Sequence, residues 1–399
     1  MHIFRLFALL SAFALSGSFA AADQDTVAYD LNVASTVERL ATSGNPVTQV
    51  RAGSAHACAL VQSGQVFCWG QNFNGQLGNG SNSDTSVPVL VKKLANIEHI
   101  AAGFLHTCAL QKGGRVFCWG SNFSGQLGNG TFNDASIRVR VRNGEGATHI
   151  ASGYGHSCMI KTSGRAYCWG NNRWAQLGNG EEGGDFPTPQ RVVGPTLYRD
   201  ISNGFRHTCA LGRGGRAHCW GSNEFGQLGL GNRLSKGTPQ RVSIARRLTR
   251  VTAGFFHTCA LRNDGVPLCW GDGGNGQLGN GSLQTKTSPT RVELLFDAKD
   301  LAAGAYHTCA LKENKVLACW GNNNKGELGD GTIVDKKRRV RVKRVSKALD
   351  VSAGTNFTCA VKETGRALCW GANSDGQLGN GDMTRDPNPI ASRVKRLGR

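Results

Sequence analysis

Acidic side chains and long apolar segments are both scarce in this chain of 399 residues. It contains 27 Asp and Glu against 46 Lys and Arg, a formal net charge of +19. Beyond the first 22 residues, no apolar run approaches the length of about 20 residues that a membrane-spanning helix needs. The sequence also lacks a nucleophile elbow, a phosphate-binding loop and a zinc-protease motif. We therefore expect a protein that is not an enzyme, uses no metal or cofactor, and keeps no integral membrane segment after removal of its leader.

The amino terminus has the composition of an export signal. A single Arg5 precedes an apolar run over residues 6–15, and small residues follow it. This order is typical of a secretory signal peptide, and we assign residues 1–22 to one; a buried helix is the alternative. The protein is therefore expected to be secreted or periplasmic, in a compartment where disulfide bonds form.

Cysteine, by contrast, is abundant and regularly spaced. The 14 cysteines form seven pairs, the members of each pair are ten residues apart, and successive pairs begin 50 or 51 residues apart. The chain is therefore one unit repeated seven times. An even cysteine count in an exported chain favours disulfides. The pairs are Cys58 with Cys68, Cys108 with Cys118, Cys158 with Cys168, Cys209 with Cys219, Cys259 with Cys269, Cys309 with Cys319, and Cys359 with Cys369.

Each unit has the pattern of a small antiparallel sheet. Short β-branched or aromatic runs alternate with glycine-rich turns about four times per unit, the strand count of a propeller blade. Folding the chain about Ser63 places Cys58 opposite Cys68, within reach of a cross-strand disulfide. Zinc is the alternative, but nine residues separate the paired cysteines, whereas structural zinc sites favour two to four. We predict an all-β fold, a seven-bladed β-propeller with one disulfide in each blade.

The residues shared by the units also match a known repeat. The pattern A-G-x-x-H-x-C-A-L, followed by C-W-G-x-N-x-x-G-Q-L-G-N-G, resembles the repeat of the regulator of chromosome condensation family over roughly residues 47–398. The resemblance implies a seven-bladed β-propeller, and the paired cysteines fit an exported branch. The family's functions are diverse, and its namesake is a nuclear exchange factor for a small GTPase, so exchange activity is one alternative function. Residues 23–46 precede the repeats as a leader that either closes the ring or lies outside it.

Two columns of large side chains recur through the units, and we interpret both as structural. A tryptophan directly follows each second cysteine, and seven equivalent tryptophans favour packing between blades over ligand binding. A histidine precedes the first cysteine by two positions in six units, and the seventh has Phe357. Symmetric blades would hold these histidines apart, which favours local hydrogen bonds over a metal site. The histidines are His56, His106, His156, His207, His257 and His307.

The two positions after the A-G motif differ from unit to unit. By the resemblance, this turn lies on one face of the propeller, near its axis. Five consecutive units place aromatic residues there together with one arginine, and such side chains are typical anchors of protein interfaces. Packing against adjacent turns is the alternative. We predict a monomeric propeller that binds a protein partner through Phe104, Tyr154, Phe205, Arg206, Phe255, Phe256 and Tyr306.

Basic residues concentrate near the end of each unit. The period-two alternation of apolar and basic residues over 137–142 predicts an outer strand with one solvated face. Charges on such a strand resist aggregation between sheet edges. The functional alternative is a rim that binds a polyanion such as nucleic acid or an anionic glycan. This basic rim comprises Arg140, Arg191, Arg241, Arg291, Lys336, Lys337, Arg338, Arg339 and Arg341.

A last variable position lies on the strand that opens each unit. Three of its seven members are aspartates, which could attract a cation, but calcium needs six to eight clustered oxygen ligands. We therefore interpret the position as a solvated edge. Its members are Gln49, His99, His149, Asp200, Arg250, Asp300 and Asp350.

Overall fold

The computed structural model describes residues 45–244 and 247–395. Within these ranges the chain forms seven four-stranded antiparallel sheets, each built from four consecutive strands. The sheets surround a central channel, which confirms the predicted seven-bladed β-propeller. The predicted signal peptide, residues 1–22, and all but the last two residues of the predicted leader lie outside the described ranges. No helix in the described part of the chain is long and apolar enough to cross a membrane.

Each blade runs from an inner strand at the channel to an outer strand at the rim. Blade 1 contains β1 (Val47–Ala52), β2 (His56–Val61), β3 (Val66–Gly70) and β4 (Thr85–Leu90). Blade 2 contains β5 (Ile97–Ala102), β6 (His106–Gln111), β7 (Arg115–Gly120) and β8 (Ala135–Arg140). Blade 3 contains β9 (Ala147–Ser152), β10 (His156–Lys161), β11 (Ala166–Asn171) and β12 (Asp185–Arg191).

The other four blades repeat this order. Blade 4 contains β13 (Tyr198–Asn203), β14 (His207–Gly212), β15 (Ala217–Gly221) and β16 (Lys236–Arg241). Blade 5 contains β17 (Leu248–Ala253), β18 (His257–Arg262), β19 (Pro267–Gly271) and β20 (Lys286–Arg291). Blade 6 contains β21 (Ala298–Ala303), β22 (His307–Lys312), β23 (Leu317–Gly321) and β24 (Lys336–Arg341). Blade 7 contains β25 (Ala348–Ala353), β26 (Phe357–Lys362), β27 (Ala367–Asn373) and β28 (Thr384–Arg393).

The register of the two middle strands explains the disulfides. Cys58 lies directly opposite Cys68, and Ala59 lies opposite Phe67, which is the predicted pairing. All seven predicted bridges form, with Cα–Cα distances of 4.0–4.1 Å. The other six bridges join Cys108 to Cys118, Cys158 to Cys168, Cys209 to Cys219, Cys259 to Cys269, Cys309 to Cys319, and Cys359 to Cys369.

The bridges account for every cysteine of the chain, since all 14 lie in the described ranges and none is free. Each bridged cysteine is buried between the faces of its blade and the next. The zinc alternative is therefore wrong for these cysteines. Seven disulfides indicate an oxidising environment.

The repeated tryptophans pack between blades. Trp119 is fully buried, and its Nε1 donates a hydrogen bond to the carbonyl of Gln76 in the preceding blade at 2.9 Å. The six other tryptophans make the equivalent bond. The loop that receives each ring needs glycine: at Gly128, with φ of 69°, an added Cβ would lie 2.6 Å from Trp169 Nε1. The structural interpretation of this column is therefore confirmed.

The six histidines also join neighbouring blades. His56 Nε2 lies 2.9 Å from Thr107 Oγ1 in the next blade, and that hydroxyl donates to the Gln76 carbonyl at 3.0 Å. Because the hydroxyl proton is engaged by the carbonyl, the histidine must donate from Nε2, which leaves its buried Nδ1 unprotonated and unpaired. The remaining five histidines repeat the contact with a threonine or serine at 2.8–2.9 Å. The column is therefore structural, as predicted.

The ring closes between blade 7 and blade 1, where an apolar contact replaces this hydrogen bond. Phe357 occupies the histidine position and Ala57 the threonine position, and both are buried in one apolar cluster. Val47 N donates to Gly365 O at 3.1 Å, and a Cβ at Gly365 would lie 2.2 Å from Pro46. Pro46, directly before the first strand, therefore lies against the turn at Gly365 of blade 7.

At this junction Phe357 and Ala57 replace both members of the histidine–threonine pair. We therefore expect the effects of substituting these two residues on stability to be strongly coupled. Replacing Phe357→His alone buries an N–H donor without an acceptor, and we expect a loss of about 1–3 kcal/mol in unfolding free energy. Adding Ala57→Thr restores the acceptor that the other six junctions have. We expect the double variant to recover on the order of 1–2 kcal/mol beyond the sum of the single changes, measured by urea unfolding. Strictly additive changes would show that the pair does not interact.

Glu327 is a second departure from the repeat. Six units place glutamine at this position, whereas the Glu327 side chain is buried, with Oε2 accepting from Lys325 N at 2.8 Å and Oε1 unpaired. Burial raises the pKa of Glu327 to about 7 from 4.5. The glutamines are Gln76, Gln126, Gln176, Gln227, Gln277 and Gln377.

Restoring the repeat residue is expected to stabilise the protein above neutral pH. A carboxyl whose folded pKa is raised favours folding below its unfolded pKa and loses that contribution as pH rises through its folded value. Glu327→Gln should therefore increase the unfolding free energy by about 1–3 kcal/mol at pH 8 and by much less at pH 5. Gln227→Glu in blade 4 is the matched control, with a loss at pH 8 expected. A pH-independent effect would contradict the assignment of a buried carboxylate.

Candidate functional site

The turns that connect the first and second strands of the blades surround one mouth of the channel. Their backbones are joined from blade to blade: Ser54 N donates to Phe104 O at 3.2 Å, and Phe104 N donates to Gly153 O at 3.0 Å. Similar bonds join Tyr154 N to Gly204 O, Phe255 N to Ala305 O and Ala305 N to Gly354 O, and Thr355 N donates to Gly53 O at 3.2 Å. The ring of turns therefore holds its side chains at fixed positions around the channel mouth.

Aromatic side chains from five of these turns form one cluster, here called the aromatic cap. Its members are half-buried, because each ring packs on its neighbours and keeps part of its surface exposed. The ring centroids are 4.6 Å apart for Phe104–Tyr154, 4.1 Å for Tyr154–Phe205 and 5.0 Å for Phe205–Phe255. Phe255 also lies 6.0 Å from Phe104 across the mouth. The aromatic cap comprises Phe104, Tyr154, Phe205, Phe255, Phe256 and Tyr306.

The structure brings every predicted face residue together. Tyr306 lies 5.7 Å from Phe255, and Phe256 lies 5.4 Å from Phe205. Arg206 extends outward from the cap, with its guanidinium carbon 3.8 Å from the centre of the Trp174 ring. The packing predicted as the alternative is thus present, and it coexists with exposure. Preformed, mutually supported aromatic rings suit an interface anchor, because little side-chain freedom remains to be lost on binding.

Sequence reasoning missed a second circle of apolar side chains on the same face. These residues lie on the long loops between the third and fourth strands. Trp174 contacts Arg206, the Phe225 ring lies 4.9 Å from that of Phe256, and Phe123 is 54% exposed beside the turn at Gly155. The sequence does contain a signal for these residues, because the loop positions that follow each Trp-Gly pair differ between units, as the positions of the aromatic cap do. The apolar surface is therefore wider than the cap.

The entry-strand position lines the channel below the cap, which corrects its interpretation as a solvated edge. The channel has a cavity volume of about 250 Å³, and seven inner strands converge on it. Arg250 makes a two-point ion pair with Asp300 at 2.7 and 3.0 Å, and its NH1 lies 4.0 Å from Asp200. Arg51 pairs with Asp350 at 2.8 Å. The inner strands of a closed ring face one another across the channel, so these charged side chains form ion pairs between adjacent blades and are not solvated at a free edge.

The protonation of the channel follows from burial. Burial raises the pKa of Asp200, and the positive charge of Arg250 opposes this change. Burial, with Arg51 and Arg250 nearby, lowers the pKa of His99 to about 3, so this imidazole is neutral at physiological pH. Among the described residues, no three His, Cys, Asp or Glu side chains are grouped to hold a metal ion.

The arginines of the basic rim lie on the outer strands, away from the cap. Arg140, Arg191, Arg241, Arg291 and Arg341 occupy equivalent positions and are exposed. The remaining rim residues lie on β24, between the loop of the preceding blade and solvent; they are Lys336, Lys337, Arg338 and Arg339. The rim and the aromatic cap are therefore separate surfaces.

Comparison with known proteins identifies the domain family to which the sequence of this chain is similar. The model of the RCC1-like domain matches residues 20–294 and 187–398. The curated Ultraviolet-B receptor UVR8 of Arabidopsis thaliana is 32% identical over 201 residues, 49% of this chain and 46% of the receptor. The human probable E3 ubiquitin-protein ligase HERC4 is 49% identical over 51 residues, 13% of this chain and 5% of the ligase. The chain thus spans less than half the length of these curated relatives.

Solved structures agree on the fold. Prp20p from Saccharomyces cerevisiae superimposes with a TM-score of 0.75 at 22% identity, over 91% of this chain and 89% of that chain. Human WBSCR16 gives a TM-score of 0.72 at 20% identity, over 78% of this chain and 85% of that chain. At such low sequence identity, these structural similarities establish the fold alone, and function has to be argued from the surface residues of this chain.

Proposed function

Because this chain belongs to the RCC1-like domain family, we propose that it is an exported, monomeric propeller whose aromatic cap binds another protein. The observation that carries the proposal is the half-exposed aromatic cap, held by backbone hydrogen bonds between neighbouring turns and flanked by Arg206. Aromatic and arginine anchors contribute most of the binding energy in many interfaces. Prp20p has a similar fold, and it is described together with its binding properties to Gsp1p and histones, so it is a propeller with protein partners.

The second circle of apolar residues supports the same proposal. Phe73 and Phe123 are 66% and 54% exposed, and Trp174 and Phe225 contact cap residues or Arg206. Together with the cap they form a wide apolar surface on one face, which is a feature of interaction sites. Export is supported by the seven disulfides, which form readily in an oxidising compartment.

The test compares capture by two exposed aromatic sites. Purified protein is immobilised and exposed to the extracellular or periplasmic fraction of the producing organism, and captured proteins are identified and titrated. The Phe255→Ala, Phe256→Ala variant should lose at least about tenfold in affinity for the captured partner. Phe296→Ala is the control, since Phe296 is 61% exposed and contacts the turn at Gly265, at the other end of the blade.

Thermal unfolding separates binding from stability in this experiment. Because both phenylalanines are half-buried, their removal should lower stability by only about 1–2 kcal/mol, well short of unfolding the ring. Equal capture by the native protein and the cap variant would refute the proposal, as would equal losses in the two variants.

Polyanion binding by the basic rim is the second candidate. It is favoured by the exposure of the five equivalent arginines around the circumference. Such binding should weaken steeply with salt, with a slope of log K against log salt close to the number of phosphates contacted. Charge reversal at Arg241 and Arg291 should reduce that slope by about 1 per residue. Affinity for heparin or DNA that ignores salt would remove this candidate.

A further inference from the structure

The outer strands differ in their content of proline. A proline lacks the amide that a sheet edge would offer to an added strand. The outer strands of blades 1, 3, 4, 5 and 7 each contain at least one proline, whereas β8 and β24 contain none. At the position of Pro88, Pro189, Pro239 and Pro289, blades 2 and 6 have Arg138 and Arg339 instead. Two of the seven edges therefore retain their full set of amides.

The backbone of β24 directs amides toward solvent. Val342 N donates inward to Leu317 O at 3.1 Å, and because successive amides alternate in direction along a strand, those of Arg339 and Arg341 point outward. The preceding blade covers the start of this edge, where Gly281 N donates to Lys337 O at 2.9 Å. The edge beyond residue 337 offers a short row of outward donors and acceptors.

The same strand carries positive charge on one side. Side chains alternate along a strand, so Arg339 and Arg341 share a face; Lys337 precedes them across a register shift, and Lys343 follows the end of β24. On the opposite face, Val342 packs into the apolar core of the blade. Lys337, Arg341 and Lys343 are exposed, while Arg339 Nε donates to a carbonyl of the preceding blade at 2.7 Å. Arg339 and Arg341, with Lys337 before them and Lys343 after them, give this edge a run of positive charge that an acidic extended partner can match.

Blade 2 lacks this combination. Arg140 on β8 is paired with Glu145, and Arg138 Nε donates to the Lys93 carbonyl. The contact of Arg138 is the one that Arg339 also makes, but β8 has Ala135 and Ser136 where β24 has Lys336 and Lys337, so fewer cations face a partner there. The two proline-free edges are distinguished by charge, and β24 is the stronger candidate.

We propose that β24 binds an extended acidic segment of another protein by β-strand addition. Backbone hydrogen bonds from Arg339 and Arg341 supply the pairing, and acidic residues at alternate positions face the cations. The charge also excludes a second copy of this chain, because like charges on paired strands are destabilising. The site is separate from the aromatic cap, and the proposal stands independently of the partner assigned to that face.

The test uses a synthetic heptapeptide of alternating Glu and Val, acetylated and amidated at its ends. Arg339→Pro introduces the residue that four other blades have, so the fold is expected to persist, and it removes one outward amide together with the arginine. Arg339→Ala removes the arginine alone. In a binding titration, Arg339→Pro should lower affinity at least tenfold below Arg339→Ala. Arg138→Pro on β8 is the position-matched control and should leave affinity unchanged.

A second measurement keeps the test independent of the variants. The same peptide with N-methylated valines cannot pair along one edge, and it should bind the native protein at least tenfold more weakly. If the methylated peptide binds equally, or if Arg339→Pro and Arg339→Ala lose the same affinity, attraction by charge alone explains binding and strand addition is wrong. Tighter binding of heparin than of the peptide, unaffected by Arg339→Pro, would assign β24 to the polyanion rim instead.

Discussion

Acidification from pH 7.5 to pH 5 should unfold this protein far below its melting temperature at neutral pH. Burial lowers the pKa of the six junction histidines to about 3 or 4, from 6.5 in an unfolded chain. Between these values the unfolded chain binds more protons than the folded one. Stability is therefore fully present above pH 6.5 and is lost as pH falls toward 4.

The expected size of the effect follows from the number of histidines. Six protons taken up on unfolding correspond to a slope of up to about 8 kcal/mol per pH unit. A typical domain has a total stability of about 5–15 kcal/mol, so one unit of pH removes much of it. Glu327, whose raised pKa is about 7, acts in the opposite direction but contributes a single proton.

The junction between blades 7 and 1 supplies the control for this prediction. The variant His207→Phe with Thr258→Ala copies the pair Phe357 and Ala57 into another junction. It should reduce the proton uptake on unfolding by about one, measured from the pH dependence of the unfolding constant. A melting temperature that stays flat from pH 7.5 to pH 5 would show that the histidines titrate normally.

Reduction of the seven disulfides should have the other large effect. Each bridge closes a loop with a sequence separation of 10, and the chain-entropy model assigns about 2–3 kcal/mol to a loop of this length. Because all the bridged cysteines are buried, reductant alone should act slowly on the folded protein. In moderate urea, where blades open, reductant should unfold the protein irreversibly on the time scale of the experiment.

Thiol labelling followed by mass spectrometry measures both stages. Protein purified from its producer should accept no label before reduction and 14 labels after reduction in denaturant, one for each cysteine. A variant in which Cys209 and Cys219 are both alanine should lose about 2–3 kcal/mol and keep its fold. Free thiols in the untreated protein would overturn the inference of an oxidising compartment.

The fold could be predicted from the sequence because its strongest signals are local. A disulfide requires its cysteines to lie opposite one another, so a spacing of ten residues defines the middle hairpin and its register. The repeat then assigns the same hairpin to every blade. The tryptophan and histidine columns were also assigned correctly as structural, because seven or six equal copies favour a shared packing role.

The candidate site was only partly predictable, because its geometry depends on how distant loops meet. The Phe255 ring packs against neighbouring rings and is also partly exposed. The sequence could not show this, because it depends on the relative positions of five separate turns. Trp174 and Phe225 lie on long loops whose path across the face is not encoded by strand periodicity. The aspartates of the inner strands were misassigned, because an entry strand looks like a solvated edge until the ring is closed.

The apolar junction between blades 7 and 1 has a consequence for the order of folding. Six junctions join units that are adjacent in sequence, whereas Phe357 and Ala57 are about 300 residues apart, so their contact carries the largest loop-closure entropy. Contacts of such long range form late. A nonpolar junction tolerates small errors of alignment that a buried histidine–threonine bond would not. The last junction to form therefore omits the buried histidine–threonine bond, and the polar contacts that close it are those of the Arg51–Asp350 ion pair and the Trp69–Gln377 hydrogen bond.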